Sequence, residues 1–247
     1  QYIKGLEAFD GRNHTAVTLG KFDGLHRGHQ KLLNRIMKYA KKEDCDSVVC
    51  AFDMDRDCLM TNEERRAFLE DKVDYLIEIP FTREMMEMEA EKFIDEILYK
   101  KLHASHIVVG TDFNFGHEKR GNHQMLEKYA AKCGYTVDVV EKAYYKDREI
   151  SSTYIRELLL DGNVPLANEL LGYPYEITSV VEHGQQLGRT LGFPTMNLAP
   201  QGKKILPKYG VYACRVLVDG VWYGGVGNAG VKPTVAQEKR RLFEVYV

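Results

Sequence analysis

The stretch V-T-L-G-K-F-D-G-L-H-R-G-H-Q-K-L-L, residues 17–33, places three glycines, an aspartate and two histidines between an apolar segment and an amphipathic one. The apolar residues before Gly20 predict a strand, and the apolar spacing after His29 predicts a helix from Gln30 to about Ala40. The residues between them form a strand-to-helix turn, in which glycine lets the backbone approach a ligand closely. The free N–H groups and the dipole at the helix start favour a bound phosphate.

The two histidines of this turn, His26 and His29, are three residues apart, so one helical turn would bring both imidazoles to the same side. There they could stabilise charge that develops on a phosphoryl group without a covalent intermediate. The alternative is a tight turn with surface or satisfied core histidines, which the strand, the helix and the glycines together disfavour. A zinc site is disfavoured because no third ligand is suggested nearby.

Strand and helix patterns alternate through the first two thirds of the chain. The further strand patterns are residues 47–52, 74–81 and 106–110, and the further helix patterns are residues 62–72, 89–102 and 123–134. Short, nearly all-apolar strands that alternate with helices predict an α/β fold with a parallel sheet covered on both faces. Ligands of such folds bind beyond the carboxyl ends of strands, which places the chemistry in the loops after Gly20 and Gly110.

The pattern changes at about Tyr175 to strand-like segments separated by glycine-containing turns, without a long helix. Asp219-Gly220 stands between two β-rich runs and predicts a hairpin. This region is therefore predicted to be a small antiparallel barrel or sandwich. A short linker near residue 172 gives two expected domains, 1–172 and 173–247.

Composition limits the classes of function. The chain has 247 residues, 44% hydrophobic and 28% charged, with a formal net charge of -2. This balance is ordinary for a soluble globular protein, and it lacks the Lys/Arg excess of a dedicated nucleic-acid binder. We found neither an apolar run of membrane-spanning length nor a signal-peptide pattern. Five dispersed cysteines favour reduced thiols, so a cytoplasmic protein is expected.

The motif G-K-F-D-G-L-H-R-G-H resembles the signature of the nucleotidyltransferase superfamily, whose members transfer nucleoside monophosphates from triphosphates and release pyrophosphate. A second superfamily element, I-S-S-T-x-[IV]-R, is matched by I-S-S-T-Y-I-R at residues 150–156. The resemblance implies that His26, His29 and Arg156 are catalytic. The ATP-binding residues that it implies are Gly20, Phe22, Asp23, Gly24, Gly28, Ser152 and Thr153.

The second element also has a direct physical interpretation. Ser152 and Thr153 at a helix start can cap the backbone and reach phosphate oxygens, and Arg156, one turn later, offers charge-assisted hydrogen bonds. A plain capped helix with a solvated arginine is the alternative.

Residues 108–122, V-V-G-T-D-F-N-F-G-H-E-K-R-G-N, resemble the segment of the bacterial FAD synthetase module that lines the flavin and adenine pocket. The resemblance implies flavin contacts from Asp112, Phe113 and Phe115. Aromatic side chains at alternate positions of an extended chain lie on one side and can pack on a flat ring, although two core phenylalanines would give the same pattern.

The loop after Phe52, A-F-D-M-D-R-D-C, departs from the family pattern F-[DE]-P-H-P, which puts substrate contacts from this loop in doubt. Its carboxylates, Asp53, Asp55 and Asp57, lack the glycine and the closing glutamate of a calcium loop.

Residues 183–198 resemble the riboflavin kinase motif G-R-x-L-G-x-P-T-x-N-L. The ATP contacts that it implies are Gly188, Arg189 and Gly192. Thr195 and Asn197 carry hard oxygen ligands suited to Mg²⁺ held together with nucleotide phosphates, although a Pro-Thr pair that ends a strand is the simpler explanation of that pair alone. Glu244, in L-F-E-V-Y-V, matches the family glutamate that takes the proton from the ribityl 5′-hydroxyl of riboflavin; an ordinary strand charge is the alternative.

The two resemblances cover almost the whole chain and indicate the bacterial bifunctional riboflavin kinase/FAD synthetase family. They imply a Rossmann-like nucleotidyltransferase domain, then a riboflavin kinase-like β-barrel that we expect to be incomplete at its C-terminus. The implied reactions convert riboflavin and ATP to FMN and ADP, and FMN and ATP to FAD and pyrophosphate, each with Mg²⁺. The expected partners are these small molecules, without nucleic acid or membrane, and self-association is left open.

The sequence is also compatible with two other functions. The C-terminal region could be a non-catalytic flavin-binding module attached to an FAD synthetase. The chain could also be a nucleotidyltransferase with another acceptor, such as phosphopantetheine or glycerol phosphate. The segment T-D-F-N-F-G and the kinase-like motif argue against the second function, which requires neither.

Overall fold

The computed structural model describes residues 1–53, 56–182, 194–200, 202–233 and 239–247. They form two compact units, each with its own sheet and its own apolar core. The first unit comprises Gln1–Asp55 and Asn62–Ser151, and the second comprises Arg56–Thr61 and Ser152–Val247.

The first unit alternates strands and helices. Its strands are β1 (Tyr2–Lys4), β2 (Thr15–Gly20), β3 (Asp46–Asp53), β4 (Tyr75–Pro80), β5 (Ala104–Gly110), β6 (Asn114–Phe115), β7 (Gly121–Asn122), β8 (Thr136–Val140), β9 (Tyr144–Tyr145) and β10 (Arg148–Glu149). Its helices are α1 (Arg27–Glu43), α2 (Asn62–Leu69), α3 (Arg83–Glu87), α4 (Ala90–Lys92), which continues as a π-helix over Phe93–Lys101, and α5 (His123–Cys133). Short 3₁₀ turns lie at Leu6–Ala8 and His117–Lys119.

Six of these strands form one sheet in the order β1-β4-β3-β2-β5-β8, and every neighbouring pair is parallel. The middle strands are almost wholly buried, as expected where helices cover both faces of a sheet. The predicted parallel α/β architecture is therefore confirmed. The chain runs from β2 outward to β4 and then returns to β5 on the other side of β2. The loops after β2 and β5 consequently flank the switch point at which ligands of such sheets bind.

Helix α1 begins at Arg27, three residues before the predicted start. The earlier start has a local cause, because His26 caps the helix: its Nδ1 accepts a hydrogen bond from the backbone N–H of His29 at 3.4 Å. The helix ends at Glu43, and the C-cap residue Asp44 adopts a left-handed conformation with φ of 52°. His29 therefore lies within the first turn of the helix and not in the turn that precedes it.

The second unit contains helices α6 (Ser152–Asp161) and α7 (Val164–Leu171) and strands β11 (Val181–Glu182), β12 (Met196–Leu198), β13 (Gly210–Val218), β14 (Val221–Pro233) and β15 (Lys239–Tyr246). The strands form an antiparallel sheet in the order β11-β12-β15-β14-β13. The predicted hairpin joins β13 to β14, and Asp219 and Gly220 both have positive φ, as a tight two-residue turn requires. The predicted antiparallel β-region is confirmed.

Backbone and side-chain hydrogen bonds tie helix α6 and a distant loop into the second unit. The Lys208 N–H donates to the Leu159 carbonyl of α6 at 2.8 Å. In the loop after β3, the carbonyl of Cys58 accepts from the Ile205 N–H at 3.0 Å, and buried Lys204 donates to the Leu59 carbonyl at 2.7 Å. Helices α6 and α7, which precede the boundary predicted at residue 172, therefore group with the second unit.

Helices that could cross a membrane are not found in the part of the chain that the structure describes.

Candidate active sites

The turn between β2 and α1 is held in an unusual backbone conformation. Phe22 and Leu25 have positive φ of 46° and 37°, which L-residues other than glycine seldom adopt, and Gly24 has φ of 79°. Both side chains are fully buried, and the Leu25 N–H donates to the Phe22 carbonyl at 3.4 Å. Packing of these two side chains therefore fixes the strained turn at the carboxyl edge of the sheet.

His26 and His29 stack on each other, with ring centroids 3.7 Å apart, and the Phe22 ring lies 5.2 Å from the ring of His29. Burial lowers the pKa of His26 to about 4, and burial followed by the charge of His26 lowers the pKa of His29 well below its usual value. Both imidazoles are therefore neutral at pH 7. The sequence prediction that the two rings share one side of the helix start is confirmed.

The hydrogen bonding of the pair fixes one tautomer. Because Nδ1 of neutral His26 accepts the backbone hydrogen bond, its proton is on Nε2, which can donate to a ligand. Nδ1 of His29 is buried and has no hydrogen-bond partner among the described residues. The arrangement thus presents imidazole donors at the helix N-terminus, where phosphate oxygens bind favourably.

The structure leaves little room for a side chain at Gly28. A Cβ at this position would lie 3.1 Å from the His26 ring and 3.6 Å from the Ile150 carbonyl. Gly20 likewise faces the Phe22 ring, at 3.4 Å. The lack of a side chain at Gly28 lets the histidine turn and the chain before Ser151 approach each other. The ATP-binding roles assigned to this turn, including that of buried Asp23, stay predictions.

The loop after β5 carries the residues predicted to bind flavin. Phe113 and Phe115 stack with ring centroids 5.6 Å apart, and Phe115 also contacts Phe93, at 5.3 Å. Phe115 is buried in the core of the first unit, whereas Phe113 is half-buried and Asp112 is exposed. Phe115 therefore has mainly a packing role here, and Phe113 and Asp112 are the better placed of the three for a ligand.

A charged cluster that sequence analysis missed lies at the same edge of the sheet. The ammonium of Lys142, two residues after β8, is 3.0 Å from Asp112 Oδ2 and 2.8 Å from Glu149 Oε2. Nζ of Lys31, on α1, donates to the carbonyls of Glu141 and Lys142 at 3.2 and 3.1 Å. The position of Lys142 in the sequence could have indicated this cluster. Lys142 follows β8, which pairs in parallel with β5, so the two strands end side by side and bring Lys142 close to Asp112.

The remaining residues of the second nucleotidyltransferase element belong to the second unit. Ser152 begins α6, and Thr153 is exposed in its first turn. Nη2 of Arg156 donates to the carbonyl of Asp57 at 3.3 Å. The catalytic role of Arg156 and the ATP contacts of Ser152 and Thr153 stay predictions.

Two of the predicted kinase residues, Asn197 and Glu244, lie in one row of the second sheet. Asn197 on β12 is directly opposite Glu244 on β15, and Glu244 is directly opposite Asn228 on β14. Directly opposite residues project to the same face of a sheet, and the adjacent Phe243 and Val245 project to the other face, into the core. Asn228, and Glu182 opposite Asn197 on β11, are members of this row that sequence analysis missed.

Asn197 provides an observation that bears on magnesium. Its side chain is buried, and its Oδ1 has no hydrogen-bond partner within the described part of the chain. An unsatisfied amide oxygen is a suitable ligand for Mg²⁺, so this residue, with Thr195 immediately before β12, fits such an ion. The predicted ATP contacts Gly188, Arg189 and Gly192 lie outside the described residues, as does Asp55 of the rejected calcium loop.

Comparisons with known proteins match one family to most of the first unit and another to the β-sheet region of the second. The family described as FAD synthetase matches residues 9–154, and the family described as riboflavin kinase matches residues 171–247. A relative from Buchnera aphidicola subsp. Schizaphis graminum is 34% identical over 260 residues, which cover 99% of this chain and 83% of the relative. A relative from Escherichia coli K12 is 35% identical over 238 residues, which cover 92% of this chain and 76% of the relative. Both are named bifunctional riboflavin kinase/FMN adenylyltransferase.

A solved structure also resembles the whole chain. The crystal structure described as a macrolide-efflux protein from Streptococcus pneumoniae has a TM-score of 0.87 and 30% identity, and the match covers 100% of this chain and 83% of that one. The order of the two matched families, the histidine turn of the first unit and the Asn197–Glu244 row of the second lead to one assignment. The chain belongs to the family of bifunctional riboflavin kinase/FMN adenylyltransferases.

Proposed function

We propose that this enzyme phosphorylates riboflavin to FMN in its second unit and adenylylates FMN to FAD in its first, with ATP as the co-substrate of both reactions. The observation that carries the proposal is the match of both families, in order, across nearly the whole chain. The neutral histidine pair and the Asn197–Glu244 row support it by supplying suitable groups in each unit. The cytoplasmic location and any self-association stay predictions.

In adenylyl transfer, a phosphate oxygen of FMN attacks the α-phosphorus of ATP, and the bond from that phosphorus to the oxygen that bridges to the β-phosphate breaks. Negative charge increases on the leaving pyrophosphate as the bond breaks. The Nε2–H of His26 and an N–H of His29 would donate hydrogen bonds to this charge, next to the N-terminus of α1. Loss of one such donor typically lowers kcat by roughly 10²–10³-fold.

In the kinase reaction, Glu244 would accept the proton of the ribityl 5′-hydroxyl while that oxygen attacks the γ-phosphorus of ATP and ADP leaves. Asn197 and Thr195 would hold Mg²⁺, which when bound offsets charge on the phosphates. Register supports these roles, because Asn197 and Glu244 are opposite each other on adjacent strands.

A product assay tests the proposal. The purified chain is incubated with ATP and Mg²⁺ and either riboflavin or FMN, and FMN and FAD are separated by chromatography. Formation of both FMN and FAD from riboflavin is expected. FAD from FMN without any product from riboflavin would support the alternative, in which the second unit binds flavin without catalysis. No FAD from FMN would overturn the adenylyltransferase assignment.

A further inference from the structure

Lys142 joins two segments that flank the candidate adenylyltransferase site. Its ammonium contacts Asp112, in the loop after β5, and Glu149, in β10 just before the I-S-S-T segment. Asp112 lies in the segment predicted to receive flavin. Strands β5 and β8 are parallel neighbours, so the segments that follow them emerge at the same edge of the sheet.

The lysine is held more firmly than an ordinary surface residue. Its side chain is 26% exposed, against 68% for that of Asp112. Its backbone carbonyl accepts a hydrogen bond from Lys31, which is on the helix that begins with the two histidines. The hydrogen bond to Glu149, and a smaller contribution from Asp112, raise the pKa of Lys142, so it is a cation throughout the neutral range.

The charges give this contact a consequence for binding. Without a cation beside it, the exposed carboxylate of Asp112 in the loop after β5 would repel the phosphate of FMN and would sample several rotamers. An ammonium at 3.0 Å offsets that charge and limits the rotamers. Glu149 also accepts a hydrogen bond from the ammonium, at 2.8 Å, and this second contact restricts the rotamers of Lys142.

We propose that Lys142 is a positioning residue of the adenylyltransferase site, which orients and neutralises Asp112 so that the loop after β5 can bind FMN. The inference rests on the proposed function of the first unit and extends it. Lys142 acts here through Asp112 and takes no part in the transfer of the adenylyl group.

Steady-state kinetics of FAD formation from FMN test this role. Lys142→Met is expected to raise the KM for FMN by roughly tenfold, the scale of one charge-assisted interaction, with kcat and the KM for ATP changed by less than about twofold. Lys142→Arg is expected to restore most of the FMN affinity, because it keeps the charge. Lys128→Met is the matched control, since Lys128 is exposed on α5 and no change in kinetics is expected.

A double variant separates action through Asp112 from a direct role. On an Asp112→Asn background the carboxylate charge is absent, so adding Lys142→Met is expected to change the KM for FMN by less than about twofold. Glu149→Gln, which weakens the second contact of the ammonium, is expected to raise the KM for FMN by a smaller factor than Lys142→Met. This variant tests the same proposal if Lys142→Met does not fold.

Several results would overturn the proposal: an unchanged KM for FMN in Lys142→Met, an equal rise in the KM for ATP, a fall in kcat alone, or fully multiplicative effects in the double variant. The wild-type chain distinguishes this failure from failure of the proposed function. FAD formation by the wild type with any of these results removes only the role of Lys142. Absence of FAD with the wild type removes both.

Discussion

The buried ion pair between Arg65 on α2 and Glu78 on β4 makes a strong prediction about stability. Nη2 of Arg65 is 2.7 Å from Glu78 Oε1, and both side chains are almost inaccessible, at 5% and 6% exposure. The hydroxyl of Tyr2 donates to the other carboxylate oxygen at 2.6 Å, and Nη1 of Arg65 donates to the carbonyl of Lys21, beside the histidine turn, at 3.4 Å. Glu78 is thus the charge that balances a buried guanidinium.

Replacing Glu78 by Gln keeps the shape of the side chain and removes its charge. Breaking a buried pair by removing one partner costs about 3–5 kcal/mol, because the other charge stays buried and uncompensated. A domain of this size loses about 2–4 °C of Tm for each kcal/mol, so the melting temperature of the first unit should fall by roughly 6–20 °C. Replacing both partners by apolar residues, as in Arg65→Met with Glu78→Leu, should cost much less.

The assay is denaturant and thermal unfolding followed by two probes. Far-ultraviolet circular dichroism follows the helices, which lie mostly in the first unit, and the fluorescence of Trp222, the single tryptophan, follows the second unit. Tyr2→Phe is the matched control, since it removes one hydrogen bond to Glu78 and no charge, at a cost of about 1.5–3 kcal/mol. A cost below about 1 kcal/mol for Glu78→Gln, or equal costs for the single and the double variant, would refute the reasoning.

Three further predictions concern the candidate sites. His26 has a pKa of about 4 in the folded chain, against 6.5 for an unperturbed histidine. Its contribution to stability is therefore present above pH 6.5 and is lost as the pH falls toward 4. Between these two pH values, denaturant titrations should show the free energy of unfolding of the wild type falling by about 3 kcal/mol more than that of His26→Gln. Phe115→Ala should destabilise the first unit by about 3–5 kcal/mol, because the Phe115 ring is in the core. Phe113→Ala should mainly raise the KM for FMN in adenylylation. A larger fall in melting temperature for Phe113→Ala than for Phe115→Ala would contradict this assignment. Asn197→Leu should raise the Mg²⁺ concentration needed for half-maximal FMN formation. It should not lower the melting temperature, because the buried oxygen that it removes has no hydrogen-bond partner among the described residues. An unchanged Mg²⁺ dependence would exclude Asn197 as a ligand.

Local patterns predicted the features that depend on neighbouring residues. The apolar strands, the glycine turn and the Asp219-Gly220 hairpin are encoded in short windows, and each was found where it was expected. The start of α1 was misplaced by three residues because an imidazole cap at His26 is not among the usual capping side chains.

Features that depend on distant residues were not predicted. Arginine and glutamate are usually exposed, and nothing in the sequence around Arg65 or Glu78 predicts their burial. The two side chains are buried because they contact each other between α2 and β4. Lys142 forms an ion pair with Asp112, thirty residues earlier, because β5 and β8 are paired in the sheet. The grouping of α6 and α7 with the second unit likewise depends on long-range hydrogen bonds such as that from Lys208 to Leu159.

The central claim is that one chain carries two separate flavin reactions, and a reciprocal pair of variants tests it most directly. With riboflavin, ATP and Mg²⁺ supplied, His29→Ala is expected to accumulate FMN and make FAD at least roughly 10²-fold more slowly than the wild type. Glu244→Gln is expected to make no FMN from riboflavin and yet to convert added FMN to FAD at the wild-type rate. Loss of FMN formation in His29→Ala, failure of Glu244→Gln to convert added FMN to FAD, or wild-type FAD formation by His29→Ala would contradict the account.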